Sequence, residues 1–182
     1  ASMLISIYFF LSFILVGVAH ACLFDECDHP DFGSCGNACC RLNIFIPDVK
    51  TVEVMNKLRD SISSGGPDNL YISMPATGDF SFTDLRHRST DEHFLGQASH
   101  TTEDKQINDT LNLLISSRDN GRSTNVMAFS MSQTSGVFSD GGQNYYNLYN
   151  LFEHLELSKG YKLKNADSSC SRVHHRDLPG DM

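Results

Sequence analysis

The segment Ser132 to Asn144, SQTSGVFSDGGQN, concentrates the side chains of this chain best suited to polar chemistry. Ser132, Ser139, Asp140 and Asn144 offer hydroxyls, a carboxylate and an amide, groups that can hold an anion or a carbonyl oxygen beside a helix N-terminus. The same residues suit a plainer task. Asp140 can cap the free N–H groups of a helix start, and Gln143, three residues on, can reach back as in a capping box. Gly141 and Gly142 let the chain turn tightly there. The residue types favour the capped helix, because Asp140 itself takes the positive helix end that an anion would need. His93, His100 and His154 are possible acid–base partners for Asp84 or Asp109. Their spacing does not bring them together, so they read as scattered surface histidines. Neither a G-x-S-x-G elbow nor an H-E-x-x-H helix is present. Gly65-Gly66 and Gly141-Gly142 read as punctuation around helices rather than phosphate cradles. Catalysis is not expected, and no cofactor is implied.

The second chemical resource is sulfur. Cys22, Cys27, Cys35, Cys39, Cys40 and Cys170 make an even set of six, five of them within the loop CLFDECDHPDFGSCGNACC. An even count in an exported domain reads as disulfides, and at least one bridge should tie the N-terminal cluster to Cys170. Adjacent Cys39 and Cys40 should each have a separate partner. Zinc is the alternative, with His29 beside Cys27, Cys35, Cys39 and Cys40, but paired C-x2-C knuckles are missing and an oxidising compartment favours cystine. No metal is expected. Asn108-Asp109-Thr110 is an N-glycosylation sequon and makes Asn108 a candidate glycan site.

Export is indicated by residues 1–21. Met3 to Val18 is apolar and uncharged, Ala19-His20-Ala21 carries small residues where a signal peptidase cuts, and Cys22 would begin the mature chain. The alternative is a retained membrane helix, since the apolar run approaches the roughly 20 residues that a span requires. The leader contains no Asp, Glu, Lys or Arg, so the rest of the 182 residues keeps the whole formal charge of −8. An acidic domain repels phosphate backbones, and Arg86-His87-Arg88 and His174-His175-Arg176 are too short to reverse that. Nucleic acid is excluded as a partner; a membrane enters only if the leader is retained.

The elements that must position these groups follow from periodicity. Arg41–Ile46 alternates as a strand, and Thr51–Ser63 reads as a helix with Met55, Leu58 and Ile62 on one face, stopped by Gly65-Gly66-Pro67. Leu70–Met74 is a short strand, and Phe80 and Phe82 suggest a second short strand or a loop edge. Phe94–Thr101, Ile107–Ser116 and Asn125–Ser132 are longer ones, the last two joined by an Asn120-Gly121 hairpin turn. Val126, Ala128 or Phe129, and Met131 are the core candidates of the third. A helix from Gln143 to Leu155 sets Tyr145, Leu148, Leu151, Phe152 and Leu155 on one face. Tyr146, Asn147 and Asn150 would stay exposed for a partner. Tyr161–Asn165 is a final strand. The order β-α-β-β-β-β-β-α-β predicts an α+β fold, an antiparallel sheet with two helices on one face, preceded by the N-terminal hydrophobic helix. The organisation is then a leader at 1–21, a cysteine-rich segment at 22–40, one domain at 41–170 and a loose tail at 171–182.

The Ser132–Asn144 segment resembles the end of the bacterial and plastid family catalogued as domain of unknown function 1499. That family carries a pattern close to S-x-S-x-x-G-x-S-D-x-G-x-N before its last amphipathic helix. Ser132, Ser139, Asp140, Gly142 and Asn144 match it, Thr134 takes the second serine and Phe138 an aromatic position. Ser135 stands where the family has arginine, and Gly136 falls one position early. Upstream, Ile107 to Asn112 is similar to the family's Asp-Asp-x-Glu-Phe strand through Asp109. The resemblance spans Arg41 to Leu155, and the cysteine-rich N-terminus resembles uncharacterised secreted proteins of dinoflagellate algae. Both imply a fold and neither an activity.

Together these readings predict a non-catalytic, secreted or lumenal, disulfide-stabilised binding domain with a protein partner. One alternative is a structural or assembly subunit of a membrane complex anchored by the leader, in the thylakoid if the plastid branch applies. The other is a small hydrolase-like enzyme using the pocket near Asp140.

Overall fold

The computed structural model describes residues 35–74, 82–103, 107–157, 160–165 and 169–170. The leader, Cys22, Cys27 and the tail lie outside these residues. Apolar alternation makes Cys39–Ile46 strand β1, with Cys40, Leu42, Ile44 and Ile46 all turned to one side. Helix α1 covers Thr51–Ser63, and Val54, Leu58 and Ile62 form its buried stripe. Its stop is the expected glycine pair. Gly65 N–H donates to the Ile62 carbonyl at 3.1 Å and Gly66 N–H to that of Ser61 at 2.8 Å. Gly66 has φ +69°, and a Cβ there would fall 2.1 Å from the Tyr71 ring. Only glycine meets both demands.

Strands β2 (Tyr71–Ser73), β3 (Phe82–Asp84), β4 (Glu92–Thr101), β5 (Asn108–Arg118) and β6 (Ser123–Ser132) follow, then helix α2 (Gln143–Glu153) and strand β7 (Lys162–Asn165). The expected order of elements is the observed one. The sheet runs β2-β4-β5-β6-β1-β7, with β3 paired to β4 beside β2, and every pairing is antiparallel. Asp119, Asn120 and Gly121 take positive φ between β5 and β6, which makes the predicted hairpin turn.

Both helices bury their apolar stripes in one cluster with Leu42, Ile44, Leu111, Leu113, Val126 and Ala128. They therefore share one face of the sheet, as expected. On β6 the alternation selects Val126 and Ala128 for that face, and Phe129 and Met131 point to the other. The opposite face carries a smaller cluster of Leu85, Leu95 and Leu114, with Met127 against it. Cys35 is bonded to Cys39, and Cys40 to Cys170 across 130 residues. The adjacent cysteines thus have separate partners, and one bridge joins the start of β1 to the far end of the fold. These sulfurs are committed to cystine, which places the fold in an oxidising environment. Among the described residues, no helix is long and apolar enough to cross a membrane.

Candidate functional site

The hairpin register sets the site. His100 of β4 pairs with Asp109 of β5, and Asp109 pairs with Ser132 of β6. Directly opposed residues point to the same face, so the three side chains form a row across adjacent strands beneath α2. They are buried, with exposures of 3%, 1% and 0%. His100 is thus a core residue facing a carboxylate, not the surface histidine that spacing suggested. The pairing of Thr101 with Asn108 across the β4–β5 connection brings it there, and only the register reveals it.

Around the row lies a network of polar side chains. His100 Nε2 meets Asp68 Oδ2 at 2.8 Å, and the Tyr71 ring packs edge-on against the imidazole with centroids 4.6 Å apart. The Tyr71 hydroxyl donates to the Asn147 carbonyl at 2.6 Å. Asn147 Nδ2 donates to Asp109 Oδ2 at 2.7 Å, and its Oδ1 accepts from Gln143 Nε2 at 2.7 Å. Ser130 donates to Asn144 Oδ1 at 2.6 Å. Asn144 Nδ2 in turn donates to the Ala38 carbonyl at 3.0 Å and to Asp140 Oδ2 at 2.7 Å. Two asparagines one helical turn apart therefore pin the first half of α2 to the sheet.

Burial pushes the Asp109 carboxyl above its ordinary range. The Asn147 amide, the nearby Ser132 hydroxyl and His100 partly offset this, and Asp140 adds to it. Desolvation also drives the Tyr71 phenol upward, with Asp68 contributing. His100 Nδ1 of the row is buried without a hydrogen-bond partner.

The segment before α2 behaves partly as its sequence implied. Asp140 accepts from the N–H groups of Gly142 at 3.0 Å and Asn144 at 2.7 Å, which satisfies donors at the helix start. The capping box does not form. Gln143 points forward to Asn147 because that amide lies one turn along its own face, and Gly142 takes the left-handed position before the helix. Of the four expected site residues, Ser132, Asp140 and Asn144 converge on the network, whereas Ser139 is exposed on the preceding loop. Asn147 was expected at the surface and is 1% exposed, because α2 turns its amide toward Asp109. Asp68, Tyr71, Ser130 and Asn147 carry no sequence motif. They join the site through folding alone.

The other titratable candidates are apart from it. His93 Nδ1 accepts from the Thr51 hydroxyl at 2.7 Å and its Nε2 donates to the Thr90 carbonyl at 3.1 Å. His154 bonds the Asn150 carbonyl at the end of α2. Asp84 is held at about 2 by the Arg86 guanidinium, whose Nε donates to it at 2.9 Å. Asn108 is exposed at the first position of β5. Among the described residues, no three His, Cys, Asp or Glu side chains are grouped to hold a metal ion.

Fold and site together define a disulfide-closed α+β domain whose second helix is fixed to an antiparallel sheet by buried polar side chains. No protein-family model, curated protein or solved structure matches the chain.

Proposed function

We propose that this chain is a non-catalytic binding domain of a secreted or lumenal compartment, presenting a rigid surface to a protein partner. The observation that carries this reading is the direction in which its side chains are turned. His100, Asp109, Ser132 and Asn144 face inward and hold α2 to the sheet, while a few large apolar side chains face solvent. Phe138, on the loop entering α2, is 80% exposed, and Ile72 on the edge strand β2 is 55% exposed. An exposed aromatic on a loop fixed at both ends can anchor a partner at little conformational cost. Val137 accepts from Ala38 N–H at 2.6 Å on one side of Phe138, and Asp140 starts the helix on the other. The leader is read as removed, and Asn108 as a glycan site; both predict a mass change, the second reversed by an N-glycosidase.

The experiment is affinity recovery of a partner from the compartment in which the protein is native, with wild type and Phe138→Ser compared. Recovery is expected to fall at least tenfold in the variant with the melting temperature unchanged. Turnover of ester or amide substrates by wild type, abolished in His100→Ala but kept in Phe138→Ser, would replace this reading with a catalytic one.

A further inference from the structure

We infer that the Cys35–Cys39 cystine is a reversible redox site, opened by an external dithiol while Cys40–Cys170 stays closed. Opening it unfastens the loop that carries Phe138. The two bridges differ in access and in hold. Cys35 is exposed, whereas Cys40 is fully buried and Cys170 packs against the main core. An attacking thiolate must reach a sulfur directly, so access favours the first bridge. Linkage favours it too. A bridge that stabilises the fold is stabilised by the fold to the same extent, and a separation of 4 residues contributes far less than one of 130.

The step is a thiol–disulfide exchange. One thiolate of the dithiol attacks Cys35 Sγ, and the S–S bond breaks with Cys39 leaving as thiolate. The second thiol of the dithiol then displaces Cys35, so the dithiol ends as a disulfide and both cysteines as thiols. What the bridge encloses gives the step a consequence. Asn37 Nδ2 donates to the Ser132 carbonyl at 2.9 Å, and Ala38 N–H donates to the Val137 carbonyl at 2.6 Å. The Ala38 carbonyl accepts from Ser132 N–H and from Asn144 Nδ2, both at 3.0 Å. Cys39 is held by its register with Met131, and the cystine holds the other end of this short segment. With the bridge open, Asn37 and Ala38 are tethered from one side, and the Val137 carbonyl beside Phe138 loses its firm anchor. The effect on a partner rests on the reading of Phe138 as a binding residue; the release of the loop does not.

To test this, the full chain is equilibrated at graded ratios of reduced to oxidised dithiothreitol, alkylated and mapped by peptide mass spectrometry. Cys35 and Cys39 are expected to take label together, at a ratio at least about tenfold below the one that labels Cys40 and Cys170. At that ratio, hydrogen exchange at the Ala38 and Ser132 amides is expected to quicken at least about tenfold, with the interior of β5 unchanged. Labelling of all four sulfurs at one ratio overturns the proposal. So does labelling of Cys35 and Cys39 without faster exchange. Cys35→Ser combined with Cys39→Ser should show the fast exchange without any reductant, and slow exchange in the folded double variant is the third overturning result. Unchanged partner recovery with Phe138→Ser would remove the binding reading alone and leave labelling and exchange to decide the redox site.

Discussion

Asp109 is the residue with the largest physical consequence. It faces His100 on β4 and Ser132 on β6, it bonds Asn147 on α2, and Asp140 lies near enough to raise its proton affinity. Asp68 and Tyr71 complete the surroundings through His100. Because its native carboxyl lies above the ordinary value near 4, the folded state holds a proton there that the unfolded chain has already released. Stability from this group is therefore greatest at low pH and declines as pH rises from about 4 to the native value, where the decline stops. Asp109→Asn keeps the shape and removes the titration. Its stability relative to wild type should rise through that window and then level off, as urea denaturation at a series of pH values would show. Asp84 has the opposite sign, because its native value near 2 is depressed by Arg86. It loses its contribution as pH falls toward about 2, and solvent screening keeps the contribution of such an exposed pair small.

At the scale of elements, most of the chain was legible. The α1 boundaries Thr51–Ser63 are those that periodicity and the Gly65-Gly66-Pro67 stop predict. Local signals suffice there because the glycine stop and the apolar stripe agree. Strand β6 was ambiguous at Ala128 and Phe129 because a continuous apolar run has no period, and pairing with β1 and β5 decided it. Helix α2 shows a different limit. Its apolar face was legible, but Asn144 and Asn147 look like surface residues until the sheet supplies Ser130 and Asp109. Apolar and polar contacts thus share the docking of α2. Leu148 is fully buried in the main cluster, so Leu148→Ala should cost about 2–5 kcal/mol, the range for a leucine-sized cavity. Denaturant titration followed by far-UV circular dichroism measures this cost.

For the whole molecule, the two bridges differ in leverage. Cys40–Cys170 spans 130 residues, whereas Cys35–Cys39 spans 4. In the chain-entropy description, the first stabilises by about 5 kcal/mol and the second by about 2 kcal/mol. Replacing Cys40 and Cys170 together by alanine should lower the urea midpoint far more than replacing Cys35 and Cys39. Equal losses would mean that native-state contacts, not restriction of the unfolded chain, dominate. The long bridge has a positional role as well. It fastens β1, which lies between β6 and β7 in the sheet, to the segment that follows β7.

The amino-acid sequence by itself determined the class of fold, the order of elements, and the tie between the cysteine-rich segment and Cys170. These depend on short-range periodicity, turn chemistry and sulfur count, all of which can be read along the chain. Tertiary structure alone decided that His100, Asp109 and Ser132 stand in one row with Asp68, Tyr71 and Asn147 around them. Strand register and helix rotation are set by the sum of many distant contacts, and a shift of one residue would turn the row to the other face.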